Sequence, residues 1–158
     1  MLDTSEQQLF RRLSAFVGGC MLEAVEAMCD ALDGEAAGVM DGVFSLLDKS
    51  LLQRTEQEGQ EPRLVMLETI REYELETLAT SGEMEDTQQA HAAYYLRLAE
   101  EAKPELVGSQ QTVWLERLER EHENLRAALS WLLEQAEGEG GRSSHEMALR
   151  LSAAVQQF

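Results

Sequence analysis

The chain has 158 residues, of which 44% are hydrophobic, so it can form a packed core and is not disordered by composition. Residues 1–82 carry 6 basic and 16 acidic side chains and residues 83–158 carry 7 and 14, so both halves contribute to the net charge of −17. Because Lys and Arg bind phosphate backbones and anionic lipids, this charge argues against nucleic acid and membranes as partners.

Three short amphipathic helices are predicted first along the chain. The first is capped by Thr4 or Ser5 and stops at the glycine pair 18–19. The second starts near Met21 and ends at residues 33–34, and the third covers about residues 35–49. Brief glycine-containing breaks between short helices predict a compact three-helix cluster.

A β-hairpin is predicted next. Strand candidates at residues 51–55 and 63–67 flank the polar segment 56–62, in which Gly59 is free to take a positive φ. Three helices followed by a hairpin is the element order of a winged helix-turn-helix domain, with residues 56–62 as the wing. We therefore expect such a domain over residues 1–82.

The charges of this winged helix predict no direct contact with nucleic acid. A reading helix needs Arg, Lys, Asn or Gln toward base edges, and cations toward phosphates. The polar positions of the third helix are mostly acidic, and the wing is acidic without a base (Glu35, Asp41, Ser45, Asp48 and Lys49 on the helix; Glu56, Glu58 and Glu61 on the wing).

The segment RLVMLETIREYELETLA, residues 63–79, joins the return strand to a helix with almost no break. On the wheel of that helix, Glu74 falls among the apolar residues Leu67, Ile70 and Leu78. One interpretation is a long side chain at the edge of the apolar arc or paired with Arg71. The alternative is a carboxylate directed at a partner domain.

Residues 83–158 are predicted to be helical throughout. Helices cover residues 85–103, 110–135 and from about 145 onward, with a break at Pro104 and Gly108 and a flexible loop at 137–144. Residues 110–135 form either one helix or two, with Asn124 as the cap of the second. A shift of 34 residues aligns five positions, which favours tetratricopeptide-like helical hairpins that continue beyond Phe158. The expected fold is mainly α.

Catalytic and metal-binding signatures are missing from the sequence. The glycine-rich run 138–144 lacks the Lys of a phosphate-binding loop, and the three histidines lie far apart without a partner at metal-ligand spacing. We expect no enzyme activity, no catalytic residue and no metal. If Cys20 and Cys29 share a helix, they point to opposite faces and cannot form a disulfide. This predicts two buried thiols in a reducing compartment, the cytoplasm.

Four aromatic residues are the candidates for binding a partner on the helical region. Tyr94, Tyr95, Trp114 and Trp131 would suit a stand-alone helical-repeat adaptor for a protein or peptide if they line a concave apolar groove. The alternative interpretation for the tryptophans is core packing, because both stand at helical core spacing.

Several blocks of sequence, in order, resemble one bacterial family. LLDKSLLQR at 46–54, PRLVMLETIREYELETLATSGE at 62–83 and WLERLEREHENLRAALSWLL at 114–133 are similar to the region after the nucleotide-binding domain of STAND signal-transduction ATPases. Members of that family include transcriptional regulators of the LuxR and SARP types. The resemblance covers about residues 7–135.

The resemblance implies a non-catalytic relay. In that family the winged helix packs on the nucleotide-binding domain and the repeats receive a protein or small-molecule inducer, so ATP or ADP would bind an upstream domain and no cofactor would bind this segment. In related switch proteins the joint carries Met-His-Asp, which corresponds here to Met66, Leu67 and Glu68. With Arg71 these are the candidates for the nucleotide-domain interface. A helical adaptor and a DNA-binding winged helix are the alternatives.

Overall fold

A computed structural model describes residues 2–34, 38–56, 58, 60–138 and 141–156. This part of the chain contains eight α-helices and one two-stranded sheet, and it confirms the mainly helical fold with a winged helix-turn-helix domain. Within it, no helix combines the length and apolarity needed to cross a bilayer. Two compact units are present, Met1–Ala90 and His91–Phe158. The division falls at 90/91, inside a helix. The predicted domain boundary at 82/83 stays a prediction.

The first three helices are α1 (Thr4–Leu13), α2 (Leu22–Asp33) and α3 (Val39–Asp48). Asp3, and not Thr4 or Ser5, caps α1: its carboxylate accepts a hydrogen bond of 2.8 Å from the backbone N–H of Glu6. The helix ends four residues earlier than predicted and passes into tight turns. The predicted start of the third helix, at Glu35, lies outside the described residues.

The core of the first unit is made by the apolar faces of these helices. α1 packs on α3 and α4, and α2 packs on α3. Leu46 of α3 has no solvent-exposed surface, and burial of each such side chain contributes roughly 1.5–3 kcal/mol. The other buried apolar residues of the three helices include Leu9, Phe10, Leu13, Val25, Met28 and Val43.

An ion pair joins the buried side chain of Arg12, on α1, to Asp33 at the end of α2. The guanidinium donates from Nη1 to Oδ2 at 2.7 Å and from Nη2 to Oδ1 at 3.0 Å. The hydrogen bonds from Arg12 hold the pKa of Asp33 below its usual value. Since half of the Asp33 side chain is exposed, the pair is a fork-shaped contact at the rim of the core.

Asp33→Asn is expected to lower the free energy of unfolding by about 1 kcal/mol near neutral pH. A carboxyl group whose pKa is lower in the folded state stabilises it above the unfolded pKa, about 3.9, and loses this contribution as the pH falls through the folded pKa. Urea unfolding from acidic to neutral pH should therefore show a constant difference from wild type above about pH 5, shrinking below about pH 4. Asp30→Asn, at an exposed position of α2, controls for loss of charge. A difference that persists undiminished in acid would contradict the prediction.

The predicted hairpin is present, with shorter strands than expected. β1 (Gln53–Thr55) pairs antiparallel with β2 (Arg63–Val65), and Arg54 lies opposite Leu64. On its other edge β2 bonds to the loop between α1 and α2: Cys20 N donates to Leu64 O at 3.0 Å and Leu64 N donates to Cys20 O at 2.8 Å. Cys20 and Cys29 form no disulfide, and both are buried, as predicted.

A fourth helix, α4 (Glu68–Ser81), follows β2 after two residues and ends at Gly82, whose φ is 83°. Just after α4, Glu83 accepts hydrogen bonds from Gln8 Nε2 at 2.9 Å and from Arg11 Nη2 at 3.1 Å. The hydrogen bond from Gln8, together with those from Arg11, lowers the pKa of Glu83. The end of α4 is therefore fastened to α1.

The remaining helices are α5 (Met84–Glu105), α6 (Gln111–Arg120), α7 (His122–Ala136) and α8 (Arg142–Val155). Residues 110–135 thus form two helices that meet at Glu121, and Asn124 is a buried residue of α7, not its cap. α8 begins at Arg142, inside the segment predicted as a loop. Pro104, which was predicted to mark a break between helices, lies inside the last turn of α5, one residue before the helix ends. In the second unit α7 packs on α6 and α8, and Leu132 and Leu151 are fully buried.

Candidate functional site

The outer face of α3 is apolar and acidic. Val39, Val43 and Leu46 turn inward to the core, and the helical repeat of 3.6 residues places Met40 and Phe44 one turn apart on the neighbouring flank of the helix, about 100° from Val39 and Val43. The relative exposure of Met40 is 42% and that of Phe44 is 56%, which is high for such large apolar side chains. In a winged helix-turn-helix domain this third helix occupies the reading position.

A groove runs between α3 and the hairpin. Its volume is about 360 Å³, and its lining is mainly apolar. We call this surface the α3–hairpin groove; its lining residues are Leu22, Glu23, Met40, Val43, Phe44, Leu47, Arg54, Glu61, Pro62 and Leu64.

The two cations of residues 38–56 are paired with carboxylates. Arg54 Nη2, on β1, lies 2.8 Å from Glu56 Oε1, and both side chains are more than half exposed. Lys49 Nζ, after α3, lies 2.6 Å from Glu6 Oε2. An exposed pair such as Arg54–Glu56 contributes about 0–1 kcal/mol, so Arg54 can leave Glu56 for another anion. Glu6, the partner of Lys49, has a side-chain exposure of only 15%.

The four predicted interface residues come together at the joint between β2 and α4. Met66 is buried, Glu68 is exposed and Leu67 has a relative exposure of 54%. With Arg71 they line one side of a concavity of about 320 Å³. Whether this surface meets another domain stays a prediction.

Arg71 donates two hydrogen bonds within this joint. Its Nε donates to the carbonyl oxygen of Phe16 at 2.8 Å and its Nη1 donates to Glu68 Oε1 at 2.9 Å. The first bond ties α4 to the segment that follows α1. The sequence offered Gly18–Gly19 as a helix stop but gave no signal that this loop would form the opposite wall of the concavity.

Glu74 is half-buried on α4, beside α1. Burial raises its pKa, and the positive charge of Arg11 opposes that rise. The cation that acts on the Glu74 carboxylate is therefore Arg11. From the sequence, a pair with Arg71 was considered instead. The side chain lines a shallow concavity together with Phe10, Arg11 and Tyr73, which matches its expected place at the edge of the apolar arc.

The four aromatic candidates of the second unit do not form one open surface. Tyr94 and Tyr95 are buried, and their rings meet edge to face at 4.9 Å, so neither lines an accessible groove. Trp114 and Trp131 are half-buried, and the guanidinium of Arg117 lies 5.0 Å from the centre of the Trp114 ring. Partner binding by the two tryptophans stays a prediction.

A buried polar cluster, missed from sequence, lies between α5 and the start of α7. Tyr95 OH donates to Glu121 Oε2 at 2.7 Å, and His91 Nε2 lies 3.2 Å from Asn124 Oδ1. The four side chains are at most 5% exposed. Among the described residues, no group of three or more His, Cys, Asp or Glu side chains is arranged to hold a metal ion.

The winged helix is similar to a described family of domains. Residues 2–79 match the family described as "Winged helix-turn-helix domain". Proteins of Mycobacterium bovis and Mycobacterium tuberculosis, provisionally named HTH-type transcriptional regulators, are 40% identical to this chain over 131 residues. That region is 83% of this chain and 14% of the relatives, so the chain spans a small part of their length. No solved structure gives a significant match.

These similarities correct the prediction that this segment makes no direct contact with nucleic acid, which was wrong. A winged helix-turn-helix domain shared with proteins named HTH-type transcriptional regulators points to DNA. The error came from requiring cationic or amide side chains at the polar positions of α3 and the wing. Readout of base edges also uses carboxylates toward cytosine and apolar side chains toward thymine, and α3 exposes both kinds.

Proposed function

Since residues 2–79 form a winged helix-turn-helix domain, we propose that the chain is part of a transcriptional regulator and that α3 and the hairpin contact duplex DNA. The observation that carries this proposal is the outward face of α3, which leaves Met40, Asp41 and Phe44 accessible at the reading position. The names of the relatives support the same function. The role is regulatory and non-catalytic, in the cytoplasm where bacterial DNA lies.

The chemistry of α3 indicates what such a contact would recognise. Phe44 and Met40 can pack on thymine methyl groups, and the Asp41 carboxylate can accept from the cytosine amino group. Residues 38–56 contain two cations, Lys49 and Arg54, so few phosphates can be neutralised. We therefore expect weak binding with a slope of about −2 in log affinity against log salt.

Selection of binding sequences from a random duplex library, followed by fluorescence anisotropy at low salt, tests this proposal. We expect enrichment of thymine-containing sites and about tenfold weaker binding by Phe44→Ser. Val113→Ser, an exposed apolar position on α6, is the matched control and should bind as wild type does. Absence of both enrichment and binding would refute DNA contact by this domain.

A finer proposal follows from the resemblance to STAND-type ATPases. In it, the winged helix transmits the nucleotide state of an upstream nucleotide-binding domain to tetratricopeptide-like helices that receive an inducer. The hydrogen bond from Arg71 to Phe16 supports it, because it ties α4 to the segment that follows α1, so that these two parts can move together.

The relay proposal expects the nucleotide to bind elsewhere in the protein. Calorimetry of residues 1–158 with ATP or ADP should therefore give no binding heat. Micromolar affinity of this chain for either nucleotide would count against the relay and leave the DNA proposal untouched.

A further inference from the structure

The α3–hairpin groove is lined mainly by apolar side chains. Phe44 and Met40 stand on one wall, Pro62 forms part of the other, and the space between them is about 360 Å³. This is within the size range of pockets that accept large apolar groups, roughly 300–1,000 Å³. Exposed large apolar side chains that share a concave surface mark an interaction site more often than isolated ones do.

The shape of the groove suits a helix from another protein. Met40 and Phe44 are one helical turn apart on α3, so they form a ridge parallel to the helix axis. A second helix laid beside such a ridge inserts its apolar residues at i, i+3, i+4 and i+7, which is the helix-in-groove mode of peptide recognition. The hairpin would provide the second wall for those anchors.

The charge around the groove identifies the kind of helix. Glu23 and Glu61 line it with Arg54, and Asp41 stands beside Met40 on the exposed face of α3. The chain as a whole carries −17, so a second copy would be repelled, and so would an anionic lipid surface. A segment with Lys or Arg flanking its apolar face is electrostatically complementary.

We propose that the α3–hairpin groove binds an amphipathic helix of a partner protein, with apolar anchors on one face and basic residues at its edges. The inference goes beyond DNA contact, because the helix would cover Phe44 and so compete with duplex for α3. Partner and DNA would then bind in a mutually exclusive way, which makes the groove a control point for the regulator.

The test uses fluorescence anisotropy with a designed peptide of roughly 18 residues, about five helical turns. Leucine occupies the i, i+3, i+4 and i+7 positions and lysine the remainder. Two comparison peptides replace every leucine by serine or every lysine by glutamate. We expect the leucine–lysine peptide to bind this chain and each comparison peptide to bind at least about tenfold more weakly.

Variants of the chain locate the binding. Phe44→Ser and Met40→Ser should each weaken peptide binding about tenfold, and both side chains are exposed enough for the fold to survive, which circular dichroism checks. Val113→Ser should leave it unchanged. Equal loss in Phe44→Ser and Val113→Ser, or equal binding of the serine–lysine peptide, would overturn the proposal because charge alone would explain the signal.

Measuring duplex binding and peptide binding on the same variants separates this inference from the proposed function. Peptide binding that depends on Phe44 supports the groove whether or not duplex binds. If duplex binds through Phe44 and the peptide does not bind, the groove belongs to nucleic acid and the inference is overturned. If both bind the same molecule at once, mutual exclusion fails and the control-point inference is overturned.

Discussion

Replacing Gly19 by alanine is expected to destabilise the first unit by about 3 kcal/mol. The φ angle of Gly19 is 91°, and a Cβ atom added there would lie 2.6 Å from the carbonyl oxygen of Leu64, far inside contact distance. The positive φ costs a non-glycine residue about 1–2 kcal/mol. Moving Leu64 away from this contact would also weaken the two hydrogen bonds between Leu64 and Cys20, each contributing about 0.5–1.5 kcal/mol.

Gly18 provides the matched control for this substitution. It also has a positive φ, 72°, but no atom lies within 4 Å of the position of an added Cβ. Gly18→Ala should therefore lower the free energy of unfolding only by the cost of a positive φ in alanine, about 1–2 kcal/mol. Urea unfolding of both variants measures the difference, and equal losses of stability would show that the close approach to Leu64 does not matter.

Replacing Glu121 by alanine is expected to destabilise the second unit by about 3 kcal/mol. The side chain is almost fully buried where α6 meets α7. Its Oε2 accepts a hydrogen bond of 2.7 Å from the hydroxyl group of Tyr95. Alanine leaves a cavity and takes this acceptor away from the buried hydroxyl, and each effect costs in the range of about 1–3 kcal/mol.

Glu123→Ala is the control, because Glu123 is exposed in the first turn of α7. Substitutions at such surface positions usually change stability by less than about 0.5 kcal/mol. Thermal unfolding followed by circular dichroism compares the two variants. A loss of stability in Glu121→Ala no larger than in Glu123→Ala would mean that the buried hydrogen bond contributes nothing.

Sequence periodicity predicted the helices of the winged-helix domain and the position of the hairpin, because amphipathic helices and turn residues are encoded locally. It overestimated strand length: residues 51–52 and 66–67 are apolar, but Leu52 and Met66 are buried outside the ladder. Apolar runs report burial, whereas strand ends depend on pairing with a distant segment. The bond of Cys20 to Leu64 is of this distant kind.

For the candidate site residues, too, the sequence predicted local arrangements but not contacts between distant segments. The four joint residues meet at one concavity because they are nearly consecutive. Tyr94 and Tyr95 were candidates for lining a partner-binding groove, but tertiary packing buries both. The acceptor for Tyr95, Glu121, lies 26 positions further along the chain. A buried carboxylate in a chain with 30 acidic residues carries no sequence signature. The prediction of no nucleic-acid contact failed for a related reason, since it considered the polar positions of α3 and the wing and not the apolar side chains that α3 exposes.

The contact of Cys20 with β2 has a consequence for the behaviour of the wing. An isolated two-stranded hairpin is marginally stable in water, and an unpaired strand offers its backbone to neighbouring chains as a template for cross-β stacking. Leu64 is bonded to its own loop on the side away from β1, so that template is already occupied. This inner strand is thereby protected from pairing with a strand of another molecule, while Glu58 and Glu61, between the two strands, remain exposed.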